Sequence, residues 1–231
     1  MKLAVMQPYL FPYLGYYQLA FCADVFVFYD DVTYIKGGYI NRNAILSQNK
    51  AQRFTIPVPG ASSNVLIKDL DFSPDVRKVL SSIQQAYSKS PFFADVYPIV
   101  EKVLTQPSRN VADLCRNSIA TVFEYLGINK QFHFSSQLSY DRTLSPAGKL
   151  VQMCKLFQCD EYINSPGGRN LYSGNDFLYH DITLNFIKMN EKKYLQSGSV
   201  DFTPNLSIID LLMNCSKCDV IDMFESYTLE S

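Results

Sequence analysis

The chain has no tryptophan, only two histidines and a formal net charge of −1 over 231 residues. With so little net charge and no long basic run, the non-specific attraction to phosphate backbones that marks a nucleic-acid binder is missing. No apolar stretch approaches the ~20 residues of a membrane-spanning helix. The N-terminus carries no basic-then-apolar export segment. Six cysteines, Cys22, Cys115, Cys154, Cys159, Cys215 and Cys218, lie in apolar or helical contexts; with that N-terminus they lead us to expect reduced thiols and a cytoplasmic protein. Cys215 and Cys218 have the spacing of half a zinc site, but no second pair completes it, so neither metal nor cofactor is expected. His133 alternates within one apolar run and His180 precedes another, the settings of hydrogen-bonded structural residues rather than catalysts.

What is abundant is phenol and phenyl: 16 Tyr and 16 Phe, in a chain that is 47% hydrophobic and 19% charged. That composition builds one sizeable core, and we read residues 1–231 as a single domain with a helical insert at about 74–127. Many of the tyrosines fall near proline or glycine in apparent loops. There they serve either as the edge of a core or as the lining of a sugar or nucleotide cleft.

The first forty-odd residues organise the rest. Residues 3–6 form a short apolar run ending at Gln7-Pro8, and residues 25–29 form another ending at Asp30 and Asp31. Continuous rather than alternating hydrophobicity fits strands covered on both faces. With Gly15 before a helix over residues 16–23, they make a strand-helix-strand unit. Residues 34–43 gather Lys36, Gly37, Gly38, Asn41, Arg42 and Asn43, donors around a glycine pair that suit an anion as well as a solvated loop. A third strand-like run covers 53–58. Helical spacing then spans 74–126 in three segments, followed by a strand at 132–138 and a helix at 147–157 capped by Ser145. Strands at 161–164 and 182–189 and one or two helices over 206–224 complete the chain. The alternation predicts an α/β fold with a mostly parallel central sheet, flanking helices and a helical insert.

The run MQPYLFPYLGYYQL, followed by FVFYDDVTYIKGGYINRN, resembles the opening signature of the WbqC-like protein family, and YINSPGGRNLY and FTPNLSIIDLLMNC resemble its other recurring blocks. The resemblance spans essentially the whole chain. It implies a place in bacterial O-antigen and surface-polysaccharide synthesis. Tyr13-Leu14-Gly15-Tyr16 also has the position and spacing of the His-x-Gly-His motif of nucleotidylyltransferases and pantothenate synthetase, with residues 165–172 in the place of their second phosphate-binding loop. Tyrosine stands where both histidines should be, and a phenol supplies no imidazolium charge to a triphosphate.

In a parallel sheet, ligands bind outside the carboxyl ends of the strands. That places Gln7, Asp30, Asp31 and Lys36 as candidate catalytic residues. Tyr13, Tyr16, Arg42, Asn43, Asn164, Gly167, Gly168 and Arg169 are candidate ligand contacts. A carboxylate there can act as general base, Lys36 and Arg42 can hold a phosphate or carboxylate, and the amides of Gly167 and Gly168 can complete an anion pocket. Asp210 reads as a helix-borne acid near an N-terminus. The expected ligand is a nucleotide-linked sugar or another anionic small molecule. The expected reaction is transfer of an acyl or aminoacyl group to an amino sugar, from a small donor or a carrier protein. A non-catalytic nucleotide-sugar or carrier-protein binding module and a nucleotidyl-transferring or ligase-type enzyme are the alternatives.

Overall fold

The computed structural model describes all residues from Met1 to Ser231 except Glu191, Gly198 and Val200. Strand β1 (Lys2–Met6), helix α1 (Leu14–Cys22) and strand β2 (Val25–Phe28) come first, with β1 and β2 paired in parallel from Leu3↔Val25 to Met6↔Phe28. A hairpin of β3 (Arg42–Ser47) and β4 (Lys50–Thr55) precedes the helices α2 (Arg77–Tyr87), α3 (Phe93–Thr105) and α4 (Val111–Tyr125). The chain then re-enters the sheet as β5 (Phe132–Phe134), crosses through α5 (Pro146–Leu156) to β6 (Glu161–Asn164), and through the short α6 (Gly174–Leu178) to β7 (Thr183–Met189). Helices α7 (Ile208–Asn214) and α8 (Lys217–Phe224) and an edge strand β8 (Tyr227–Glu230) end it.

The central sheet has six strands in the order β5-β2-β1-β6-β7-β8. Every neighbouring pair is parallel except β7 with β8. This is the α/β architecture that the apolar runs predict. Their lack of alternation has the expected cause: Leu3, Val5, Val25 and Val27 face a cluster with Leu150, Met153 and Phe177, while Ala4, Phe26 and Phe28 face a second cluster with residues of α1, α4, α7 and α8. Helix α1 is buried around most of its circumference, as a uniformly apolar helix must be. Its Gln18 amide donates to the carbonyls of Met223 and Ser226 at and just beyond the end of α8, which ties the two helices together. The buried residues of α2, α3 and α4 join the same cluster as α1.

Two expectations need correction. The strand-like run at 53–58 is not part of the central series: it is β4, residues 50–55, paired antiparallel with β3 in a separate two-stranded sheet. The turn joining them places both Gln48 (φ 51°) and Asn49 (φ 60°) in the left-handed region, the backbone that suits a two-residue hairpin, without the glycine that usually signals it. The run at 132–138 stays extended only to Phe134 and then tightens into a turn of 3-10 helix. Strand β8 carries no apolar run and was not foreseen.

The loop 7–13 between β1 and α1 is held at Phe11, a fully buried non-glycine residue with φ 41°. Its N–H donates to Ser118 Oγ (3.0 Å), and its carbonyl accepts from both Asn43 Nδ2 and Ser207 Oγ (2.7 Å each). A left-handed non-glycine backbone costs about 1–3 kcal/mol. Burial of the ring contributes about 2–3 kcal/mol and each hydrogen bond about 1 kcal/mol, so the conformation holds while its partners are in place. Asn43→Ala strips one of the two donors from this carbonyl. It should cost about 1–3 kcal/mol, read in thermal unfolding as a fall of roughly 2–4 °C for each kcal/mol in a chain of this size; an unchanged midpoint would mean that Phe11 is held without it.

Candidate functional site

After β2 and β5 are laid down on one side of β1, the chain returns to place β6 on the other. The sheet therefore reverses its winding at β1, and the crevice outside the carboxyl ends there is where such folds hold ligands. The loop following β1 builds the wall. Tyr9, Pro12, Tyr13, Tyr39, Asn43 and Asn205 line a cleft of about 320 Å³. Tyr9 stands 5.5 Å from the ring of Tyr16 and 6.2 Å from that of Tyr39. Buried Tyr16 donates its hydroxyl to the Gln7 carbonyl (2.8 Å), which fixes the loop's exit from β1. Tyr13 lies over Gly15, where a Cβ would come within 2.6 Å of the phenol ring; glycine is required for this close approach.

A further wall comes from far along the chain. Ser207 and Tyr13 form an antiparallel bridge, and Ile208 N donates to the Pro12 carbonyl (2.8 Å), so the turn at Asn205 (φ 57°) is pressed against the first loop. Asparagine tolerates this backbone better than other residues with a side chain. Burial pushes the phenols of Tyr9 and Tyr13 above their ordinary value. The cleft is thus lined by neutral hydroxyls, carboxamides and ring faces, and no formally charged side chain is among the described residues that line it.

The residues singled out from sequence fall in several places. Tyr13 and Asn43 line the cleft, and Tyr16 backs it behind Tyr9. Gln7 is half-buried at the end of β1. Asp30 is buried and accepts from Ser135 Oγ and from Ser136 N and Oγ. Asp31 accepts from Ser135 Oγ and Tyr140 OH and pairs with Arg142 Nε at 2.7 Å, its side chain only 2% exposed. Both carboxylates therefore grip residues 135–142, because β2 has ended and alternation no longer separates them. Asn164 is buried, accepts from Ser165 N, and packs on Gly168, where a Cβ would lie 2.4 Å from its amide nitrogen. Gly168 N is spent within its own turn on the Ser165 carbonyl, while Gly167 lies exposed. Arg169 pairs with Glu230 (2.8 Å) and covers the Phe186 ring, tying β8 to the sheet.

Lys36 is exposed and Arg42 half-buried, and neither has a carboxylate partner among the described residues. Alternation along β3 sends Arg42 away from Asn43, toward Gly37. Tyr9, Tyr39 and Asn205 were missed, although Pro204-Asn205 is a turn signal that places an asparagine on a surface. The ring of His133 packs on Phe157, and burial holds its pKa below the ordinary value.

Asp210 is fully buried and accepts from Tyr87 OH (2.7 Å), Tyr194 OH (2.7 Å) and Gln196 Nε2 (2.9 Å). Tyr87 OH in turn accepts from Leu46 N, so one carboxyl joins α7, α2, β3 and the segment before the Asn205 turn. The cysteines are all thiols, buried except for Cys218, and burial raises the pKa of Cys115, Cys154 and Cys215. They pack as small apolar side chains. No helix among the described residues is long and apolar enough to cross a membrane.

Fold and site define an α/β protein of mostly parallel sheet with a neutral, tyrosine-walled cleft at its carboxyl rim. The chain belongs to the WbqC-like protein family, whose model matches residues 7–221. It is similar to uncharacterized protein Rv1507c of Mycobacterium tuberculosis, 26% identical over 220 residues that cover 92% of this chain and 93% of that protein. No solved structure matches it.

Burial raises the Asp210 carboxyl above its ordinary value against the pull of its three donors. The folded state then holds this proton more tightly than the unfolded chain, so the stability it contributes is complete below about pH 4 and is lost as pH rises through the folded value. Asp210→Asn removes the titration. The wild type's advantage in melting temperature over this variant should shrink as pH is raised from about 4; a gap that widens with pH would reverse the assignment.

Proposed function

We propose that the tyrosine cleft binds the sugar of a nucleotide-linked sugar and that the protein serves bacterial surface-polysaccharide, or O-antigen, synthesis. The observation that carries the reading is the composition of the walls: Tyr9, Tyr13 and Tyr39 with the amides of Asn43 and Asn205, around 320 Å³. Ring faces suit the C–H faces of a pyranose, and carboxamides and phenols both donate to and accept from its hydroxyls. The volume is at the lower end of the range for small-molecule sites, about 300–1,000 Å³. A neutral cleft is a poor place for a diphosphate, and we assign that part of the ligand to Lys36, the exposed cation in the segment that carries Tyr39, and not to Arg42, which β3 turns away from the Asn43 wall. Family membership supports the pathway.

The catalytic form of this reading is transfer of an acyl or aminoacyl group from a small donor or a carrier protein to the amine of an amino sugar. The amine attacks the donor's thioester carbonyl, an amide forms, and the thiol leaves with the amine's proton. Asp30 and Asp31, held by their own donors, are assigned to fixing residues 135–142 rather than to accepting that proton.

Tyr39 is 62% exposed, so Tyr39→Ala should leave thermal unfolding unchanged. It should weaken binding of UDP-glucose by about 1–2 kcal/mol, roughly five- to thirtyfold. Lys36→Ala should weaken UDP-glucose by about ten- to a hundredfold while leaving the free sugar unaffected, and Arg42→Ala should change neither. Calorimetry in which Tyr39→Ala and Lys36→Ala both bind as the wild type does would remove the cleft and its cation from function. Incubation with an acyl thioester and a nucleotide-linked amino sugar, read as a mass increase on the sugar, separates transferase from binding module.

A further inference from the structure

A second, smaller space opens beside the cleft and shares Tyr13 and Asn205 with it. It is a slot of about 40 Å³ whose walls include Leu14, Met189, Phe202 and Leu211. A single water needs roughly 10–15 Å³ and two to four polar partners. The slot has the room but offers few partners: apart from Tyr13 and Asn205, which it shares with the cleft, its polar side chains are engaged elsewhere. Tyr194 OH donates to Asp210 (2.7 Å), and Lys192 Nζ donates to the Asp222 carbonyl (3.3 Å). Phe202 is set edge-on to Tyr194 (5.2 Å, 80°), which closes one side with a ring. A small apolar group is the occupant that such walls favour.

Resting on the assignment of the cleft to a sugar, we propose that this slot is a specificity pocket for a methyl-terminated substituent on that sugar. A ring seated between Tyr13 and Asn205 has the slot at its side, so a substituent enters it without a second binding event. Two sugar chemistries end in such a group: the methyl of an N-acetylamino substituent and the C6 methyl of a 6-deoxy sugar. At about 40 Å³ the slot matches a group of that size better than a long acyl chain. Since both spaces meet at Tyr13, sugar and substituent are read by neighbouring faces of one side chain.

The test is calorimetry with two matched pairs of ligands: UDP-N-acetylglucosamine against UDP-glucose, and dTDP-6-deoxyglucose against dTDP-glucose. The methyl-bearing member of at least one pair should bind about tenfold more tightly, the effect of one methyl-sized group in an apolar pocket, and the pair that shows it identifies the substituent. Leu14→Trp fills the slot from a half-buried position at the first residue of α1. It should abolish the preference while leaving UDP-glucose or dTDP-glucose binding unchanged. Phe202→Ala widens the slot and should extend the preference to an N-propionyl sugar. Equal binding within both wild-type pairs overturns the slot alone. Binding of no member of either pair overturns the sugar cleft together with it.

Discussion

The backbone of Phe11 is the constraint on which the site depends. Its φ of 41° turns the chain back after β1 so that Tyr9 and Tyr13 point into one cleft, and this conformation is unfavourable for any residue with a side chain. It is held from three directions: Ser118 from α4, Asn43 from β3 and Ser207 from the cap of α7. Each of these anchors comes from a different part of the chain, so the loop takes its shape only when the hairpin, the helical insert and the C-terminal helices have all docked. Strain of this kind concentrates where a structure pre-arranges binding groups.

The second feature is how the acids and bases are spent. Asp30 and Asp31 look exposed in sequence, at the end of a strand and the start of a loop, yet each carboxylate is satisfied by residues 135–142. A carboxylate with several donors and a guanidinium is a strut: its charge is compensated where it stands, and removing a partner leaves a buried charge that costs far more than the pair contributes. Asp210 follows a different course. Three neutral donors, two phenols and an amide, hold it without any cation, and burial dominates its titration. What faces the cleft is neutral, and the unpaired cations Lys36 and Arg42 lie in the segment beside it.

Much of the fold was legible in the sequence because burial writes a period into it. Strands covered on both faces must be apolar throughout, so residues 3–6 and 25–29 announce themselves, and Ser145-Pro146 announces the start of α5 through its cap. The hairpin and β8 were not legible. The turn at Gln48 and Asn49 lacks glycine, and β8 is four residues long, so the alternation of Tyr227 and Leu229, which pack on the core, is too short to announce a strand that pairing with β7 completes.

The block 202–215 is marked in the sequence by family resemblance alone; for the cleft, the sequence by itself pointed to the loop after β1 with Tyr13 and Gly15 and to the stretch 36–43 with Asn43. Local chemistry is enough for that, since proline and glycine at the end of a buried strand mark a turn at the rim of the sheet. Only the tertiary structure decided which side chains share a space. Asn205 meets Tyr13 across nearly two hundred residues because Ser207 and Ile208 bond to the loop backbone. Arg42 and Asn43, adjacent in sequence, part to opposite sides because a strand alternates, and Asp31 is withdrawn from the rim because Arg142, more than a hundred residues away, reaches it first. Which charge finds a partner and which wall finds its opposite are long-range outcomes of packing, and no local pattern records them.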